Sequence, residues 1–208
     1  MSKNNIIKQY CSDDVIVKAR DIKYHGFFRI DQYQIKHRLF NGQWGSLISR
    51  EIFERGDAVV LIPYDPVNKN LLLIEQFRPG AIRTEHCPWC FEFIAGMFAE
   101  NESPIDVAIR EAEEEANLIV KESQLRHVLN YLSSPGGTSE KLYMYVALMD
   151  LSNVVDGSIS GLEEENEDIK SHLMNLDNAI NLLNDGKINN ASTIIGLQWL
   201  ALNHQLLV

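Results

Sequence analysis

The sequence predicts a mixed α/β fold, a sheet covered by helices on both faces, preceded by a small antiparallel β lobe. Three observations carry that prediction. AVVLIPYD and LLLIEQFR are apolar runs of strand length on either side of the polar connection PVNKN, which reads as two core strands joined by a turn. SPIDVAIREAEEEANLI and NASTIIGLQWLALNHQLLV read as helices, the first of them set among strand-like segments. The first fifty residues carry β-branched and aromatic patches, DVIVKARDIKYHG and FFRIDQYQIKHRLF, with a turn signal at Asn41-Gly42.

Taken in order, residues 1–48 form the N-terminal β lobe and residues 49–208 the main domain. After the two core strands, FEFIAG, HVLNYLSS and LYMYVALM read as further strands, and LDNAINLLNDG as a short helix. The central helix has a legible start. Ser103 can cap it, Pro104 suits its first position, and Asp106 sits three residues after the cap, where a negative charge meets the helix dipole. Helical periodicity puts Ile105, Ile109, Ala112 and Ala116 on one face, which is expected to pack on the sheet. The terminal helix, with Ile194, Ile195, Trp199 and Leu200, is packing surface without a chemical role.

Composition limits function. At 208 residues and 45% hydrophobic, the chain can bury a core without disulfides. Its three cysteines, Cys11, Cys87 and Cys90, are an odd number, and the opening MSKNNIIKQY lacks a secretory apolar stretch, so a reducing, cytoplasmic location is expected. No apolar run approaches the roughly 20 residues that cross a bilayer, so no membrane partner is expected. A formal charge of −10 repels nucleic-acid backbones. A small anionic ligand remains possible if arginines or divalent cations correct the charge locally.

The acidic helix shows where. Glu111, Glu114 and Glu115, spaced i, i+3 and i+4, share roughly one quadrant of the helix, while Glu113 projects away. Like charges so placed each cost a few tenths of a kcal/mol in an isolated helix. A divalent cation removes that cost, and magnesium prefers a few carboxylates with its other positions left to water and phosphates. A solvated acidic face would be the ordinary reading of EAEEEA taken alone.

The surrounding spacing decides between the two. Gly96, five residues, Glu102, seven residues, Arg110-Glu111, Ala112, Glu114-Glu115, then Asn117-Leu118 resembles the signature of the Nudix hydrolase family, with Asn117 where the family has a second glycine. Asn tolerates the left-handed conformation of a helix end. The resemblance implies an α/β/α sandwich with a mixed sheet. It implies Glu111 and Glu115 as metal ligands, with Glu114 and the Ala95 carbonyl as further ones, for Mg2+ or alternatively Mn2+. Arg110 would orient a carboxylate, Glu102 or a neighbouring glutamate, a task that suits a rigid charged fork.

Outside this segment, Pro135 in SSPGGTSEK, together with REIFERG, EQFR, ENED and GKINNASTIIGLQWL, resembles the ADP-ribose pyrophosphatase branch of the family. That resemblance implies hydrolysis of ADP-ribose to AMP and ribose 5-phosphate. The alternatives are a Nudix hydrolase of GDP-mannose or nucleoside triphosphates, and a noncatalytic ADP-ribose-binding regulator. Arg50, Arg55 and Arg78 are candidate cations around a diphosphate, with Gly136 of the PGG loop beside them. Phe27, next to Phe28, is a candidate face for stacking adenine. Hydrolysis needs a general base, and a carboxylate on a mobile loop fits that role: Glu165 by its place in ENED, with Glu140 as runner-up. The resemblance also implies a homodimer in which the N-terminal lobe helps to form the partner's site. Cys87 and Cys90 are read as idle thiols.

Overall fold

The computed structural model describes residues 8–83 and 85–207, in two units. The first unit comprises the described residues through Arg55 together with Ser134–Glu140. Its sheet joins β1 (Val15–His25), β2 (Arg29–His37) and β3 (Ile48–Glu54) in that order, all antiparallel. The boundary therefore falls after Arg55 rather than at residue 48, because Ile48–Glu54 completes the small sheet by pairing with β2. This unit has few apolar residues to bury and is organised by charge. Asp31, fully buried, pairs with Arg20 and Arg29, and the Tyr33 hydroxyl donates to Glu54. The segment Ser134–Glu140 is tied to β3 by Phe53 N–H to the Gly137 carbonyl (2.8 Å) and by Ser139 Oγ to Glu54 (2.6 Å).

The second unit holds an eight-stranded mixed sheet. It contains β4 (Ala58–Asp65), β5 (Asn70–Phe77), β6 (Trp89–Glu92), β7 (Ile94–Met97), β8 (Leu125–Leu132), β9 (Lys141–Leu148), β10 (Ile159–Ser160) and β11 (Ile169–Asn175). The order is β10-β11-β5-β4-β9-β8, with β6 on β5 and β7 on β4; β4 and β9 are parallel and the other pairs antiparallel. Every residue of β4 is buried, as expected of an apolar run covered on both faces. The pleat sorts its side chains. Val60, Ile62 and Tyr64 meet α2 (Leu176–Asn184) and α3 (Ala191–Asn203) through Leu176, Ala179, Leu197 and Leu200. Val59 and Leu61 meet α1 (Pro104–Ala116) through Val107, Ala108, Ala112 and Ala116. The expected helices on both faces are thus present.

Further elements differ from the sequence reading. FEFIAG is not one strand: it breaks at Phe93, so that Glu92 stays paired with β5 while Ile94 begins pairing with β4. Strand β11, read from IKSHLMN, was not expected, because only Ile169 and Ser171 are fully buried and α2 follows without an intervening loop.

Helix α1 begins as its sequence predicts. Ser103 Oγ accepts from Asp106 N–H, and the Asp106 carboxylate accepts from Ser103 N–H (2.9 Å), a reciprocal cap. It ends where Asn117 takes the left-handed conformation (φ 53°). Its packing face is rotated from the expected one. Val107, Ala108, Ala112, Glu115 and Ala116 are buried, whereas Ile105 and Ile109 are only partly so. The rotation carries a carboxylate, Glu115, to the sheet side.

Loss of the Ser103 cap in Ser103→Ala is expected to lower stability by about 1 kcal/mol. Asn117→Ala should cost about 1–2 kcal/mol through left-handed strain, and Asn117→Gly should cost less than Asn117→Ala. Urea denaturation reads all three as changes in midpoint at constant slope.

Candidate active site

Strand alternation explains why polar side chains gather beneath α1. Leu72 and Ile74 of β5 point into the α1 core, so Gln76 and then Arg78 continue on the same face where the apolar run ends. Across the ladder Glu92 opposes Ile74 and Cys90 opposes Gln76. Ile94 and Gly96 follow Glu92 on that side, and Glu167 lies two residues before the buried Ile169. Arg78 Nε and Nη2 both donate to Glu92 Oε2, at 3.0 and 2.7 Å.

Arg110 is bonded to three glutamates and a carbonyl. Its Nε and Nη2 clamp the two oxygens of Glu102 at 2.8 and 3.0 Å, and its Nη1 donates to Glu111 (2.7 Å) and Glu114 (2.9 Å). A further bond from Nη2 to the Met97 carbonyl (3.1 Å) fixes the guanidinium to the end of β7. Glu102 also accepts from Ala99 N–H, and these partners, Arg110 foremost, hold its carboxyl below the usual range. The same ion pairs push the Arg110 guanidinium further up, against the opposing effect of burial.

Glu115 is the exceptional group. Only 3% exposed, it accepts one backbone bond, from Ala95 N–H to Oε2 (3.0 Å). Burial pushes its carboxyl up to about 8, and the Glu111 charge adds to the rise against the opposing Ala95 bond. Burial likewise raises Glu111, with Arg110 pulling it down and Glu114 and Glu167 pushing it up. Glu111 lies so close to Gly96 that a Cβ there would stand 1.6 Å from Glu111 Oε1. The glycine is required by space, not by conformation. Among the described residues no three acidic, His or Cys side chains already form a metal cage. The donor set nevertheless fits a hard cation: buried, partly uncompensated carboxylates that supply a few oxygens and leave room for water and phosphate. Ala95, expected to offer its carbonyl, is seen here to orient Glu115 through its N–H.

The loop after β10 docks on α1. Gly161 N–H donates to the Glu114 carbonyl (3.1 Å), and Ser160 Oγ donates to the Glu115 carbonyl (2.5 Å), covering the open end of the helix. Glu165 closes a single 3-10 turn, Glu163–Glu165, and is exposed to solvent. Glu167 is half-buried, accepts from Leu162 N–H (3.2 Å), and acts electrostatically on both Glu111 and Glu115. Sequence reasoning passed over Glu167 and Glu92. Their alternation with Ile169 and Ile94 was the available signal.

The remaining candidates lie in the first unit. Phe27 is 89% exposed and rests edge-on against Phe28. Arg55 lies over the Phe28 ring and pairs with Glu140 at 3.2 Å. Glu140 is buried and committed to that pair. Arg50 is exposed on β3 with Nη1 on the Ser49 carbonyl, and Gly136 is exposed in its turn.

A carboxylic acid titrating near 8 in the fold, against an ordinary 4.5, holds its proton more tightly folded than unfolded. In cation-free protein its contribution is full below about pH 4.5 and lost as pH rises through about 8, by up to about 1.4 kcal/mol per pH unit. Thermal unfolding in chelator across this window should show a downward slope that Glu115→Gln flattens. An unchanged slope in the variant would place the effect elsewhere.

A NUDIX domain model matches residues 54–195. The chain is 47% identical over 207 residues to the ADP-ribose pyrophosphatase of Escherichia coli (strain K12), covering 100% of this chain and 97% of that one. It is 39% identical to the ADP-ribose pyrophosphatase of Haemophilus influenzae, covering 95% and 91%. It is 31% identical to the GDP-mannose pyrophosphatase of Pectobacterium atrosepticum, covering 72% and 75%. A crystal structure of an ADP compounds hydrolase superposes with TM-score 0.68 over 94% of this chain and 97% of that one, at 21% identity, a likeness of fold. By the domain match and by full-length likeness, the chain belongs to the Nudix family.

Proposed function

We propose that this Nudix hydrolase cleaves the pyrophosphate bond of ADP-ribose to AMP and ribose 5-phosphate with Mg2+, Mn2+ being the alternative. The observation that carries the chemistry is the buried Glu115 beside Glu111 on α1, a pair whose charged form a divalent cation would stabilise. The substrate reading rests on full-length likeness to proteins named ADP-ribose pyrophosphatase, closer than the likeness to those named GDP-mannose pyrophosphatase.

Glu111 and Glu115 would hold the metal, with Glu114 as a further ligand and Glu167 near enough to assist. Magnesium held there would offset the charge of the diphosphate and lower the pKa of a coordinated water. Arg110 and Glu102 keep the helix carboxylates in place, a supporting role that leaves the reacting atoms to others. Glu165, exposed on the docked loop, accepts the proton of the attacking water. Its oxygen joins one phosphorus while the bridging oxygen departs with the other phosphate. Arg78 faces the diphosphate. Phe27, Arg50, Arg55 and Gly136 of the N-terminal unit would contact substrate, the lobe serving a partner's site in a homodimer. Val17, Ile22, Tyr24 and Phe27 are exposed on this lobe and suit a self-association surface. Glu140 falls to a supporting part, since its charge is taken by Arg55. Free thiols at Cys11, Cys87 and Cys90 suit a cytoplasmic setting.

AMP release is measured from ADP-ribose, with GDP-mannose and a nucleoside triphosphate as competitors. ADP-ribose should be preferred. Arg110→Lys should lose about 10–100-fold, the range for groups that support a metal ligand, and Glu115→Gln more than about 100-fold. Preference for another substrate would overturn the substrate assignment, and binding of ADP-ribose without turnover would favour a regulator.

A further inference from the structure

We propose that Glu92 is a positioning residue that holds the Arg78 guanidinium for the diphosphate and keeps it from collapsing onto Glu115. The proposal rests on the reading of Arg78 and Glu115 given above.

Glu92 is 9% exposed and sits on the α1-facing side of β6. Its Oε2 takes three donors: Arg78 Nε, Arg78 Nη2 and, at 3.4 Å, Gln76 Nε2. The Nε–Nη2 edge of the guanidinium is thereby spent, and Nη1 has no hydrogen bond among the described residues. The Arg78 side chain remains 43% exposed. An arginine gripped along one edge offers the other to a phosphate in a fixed orientation. A half-buried ion pair of this kind adds little net stability, so its effect is felt in where the charge stands.

The second half of the proposal follows from the neighbours. Arg78 and Glu115 lie on the same side of the sheet, Arg78 following Ile74 and Gln76 on β5 and Glu115 bonded to Ala95 of β7, and the charge of each bears on the other. Glu115 has a single backbone hydrogen bond and is short of positive charge. An arginine released from Glu92 could pair with Glu115 as its proton passes to solvent, and the new pair would occupy the charge that a divalent cation needs. Glu92 thus separates two attractions that would otherwise cancel: Arg78 for phosphate, and Glu115 for metal.

The test is Mn2+ binding to metal-free full-length protein, read by electron paramagnetic resonance, for wild type, Glu92→Gln, Arg78→Gln and the double variant. Glu92→Gln should bind Mn2+ roughly tenfold more weakly, about the 1.4 kcal/mol of one charge-assisted bond. Arg78→Gln should bind it at least as well as wild type, and the double variant should recover that affinity. Kinetics give a second readout. Glu92→Gln and Arg78→Gln should raise KM for ADP-ribose more than they lower kcat, and their effects should not multiply in the double variant. Unchanged Mn2+ affinity in Glu92→Gln, or a double variant as weak as Glu92→Gln, would overturn the proposal. If Glu92→Gln fails to fold by urea denaturation, Glu92→Asp takes its place and should fall between wild type and the double variant's KM. Should wild type leave ADP-ribose uncleaved, the substrate assignment falls while the Mn2+ series still decides the role of Glu92.

Discussion

The burial of a carboxylate on the sheet side of a helix is the constraint around which the main unit is arranged. Glu115 occupies a position in α1 that packing alone would give to an alanine or a leucine. An ionised group there, with one backbone bond, is unfavourable unless a cation arrives or a proton stays. Much of the local architecture serves that group. Gly96 gives up a side chain so that Glu111 can lie against the strand, Ala95 turns its N–H to Glu115, and Ser160 and Gly161 close the helix end above it.

Two arginines solve different parts of the resulting electrostatic problem. The chain carries a net charge of −10, so opposing charge must be placed and cannot come from the average. Arg110 is spent entirely within the protein. It bridges Glu102, Glu111 and Glu114 and the end of β7, which ties the loop before α1 to the helix itself. Arg78 is held on one edge and open on the other. The first keeps carboxylates from repelling one another, and the second stays available to an anion.

The N-terminal unit is stabilised in another manner. Its strands bury little apolar surface, and β1 is exposed along most of its length. What specifies its register is a set of ion pairs about Asp31 and Glu54, with Ser139 reaching Glu54 from a segment distant in sequence. Long-range pieces of chain thus complete a sheet whose local sequence shows only two of its three strands clearly.

Much of this was legible in the sequence. Apolar period and length give β4, β5 and the three helices, since these depend on local burial and capping chemistry. The start and stop of α1 follow from Ser103, Pro104, Asp106 and Asn117, and the chemistry was pointed to by the resemblance of its carboxylate spacing, with Arg110 and Glu102, to the Nudix signature. Tertiary structure decided what depends on neighbours remote in sequence. It split FEFIAG between two partner strands, moved β3 into the N-terminal sheet, rotated α1 so that Glu115 faces inward, and committed Glu140 to Arg55. It also brought Glu92 and Glu167 to the site, residues marked locally only by their alternation with Ile94 and Ile169, because a strand's alternation says that a side chain has a face while only the assembled sheet says what that face meets.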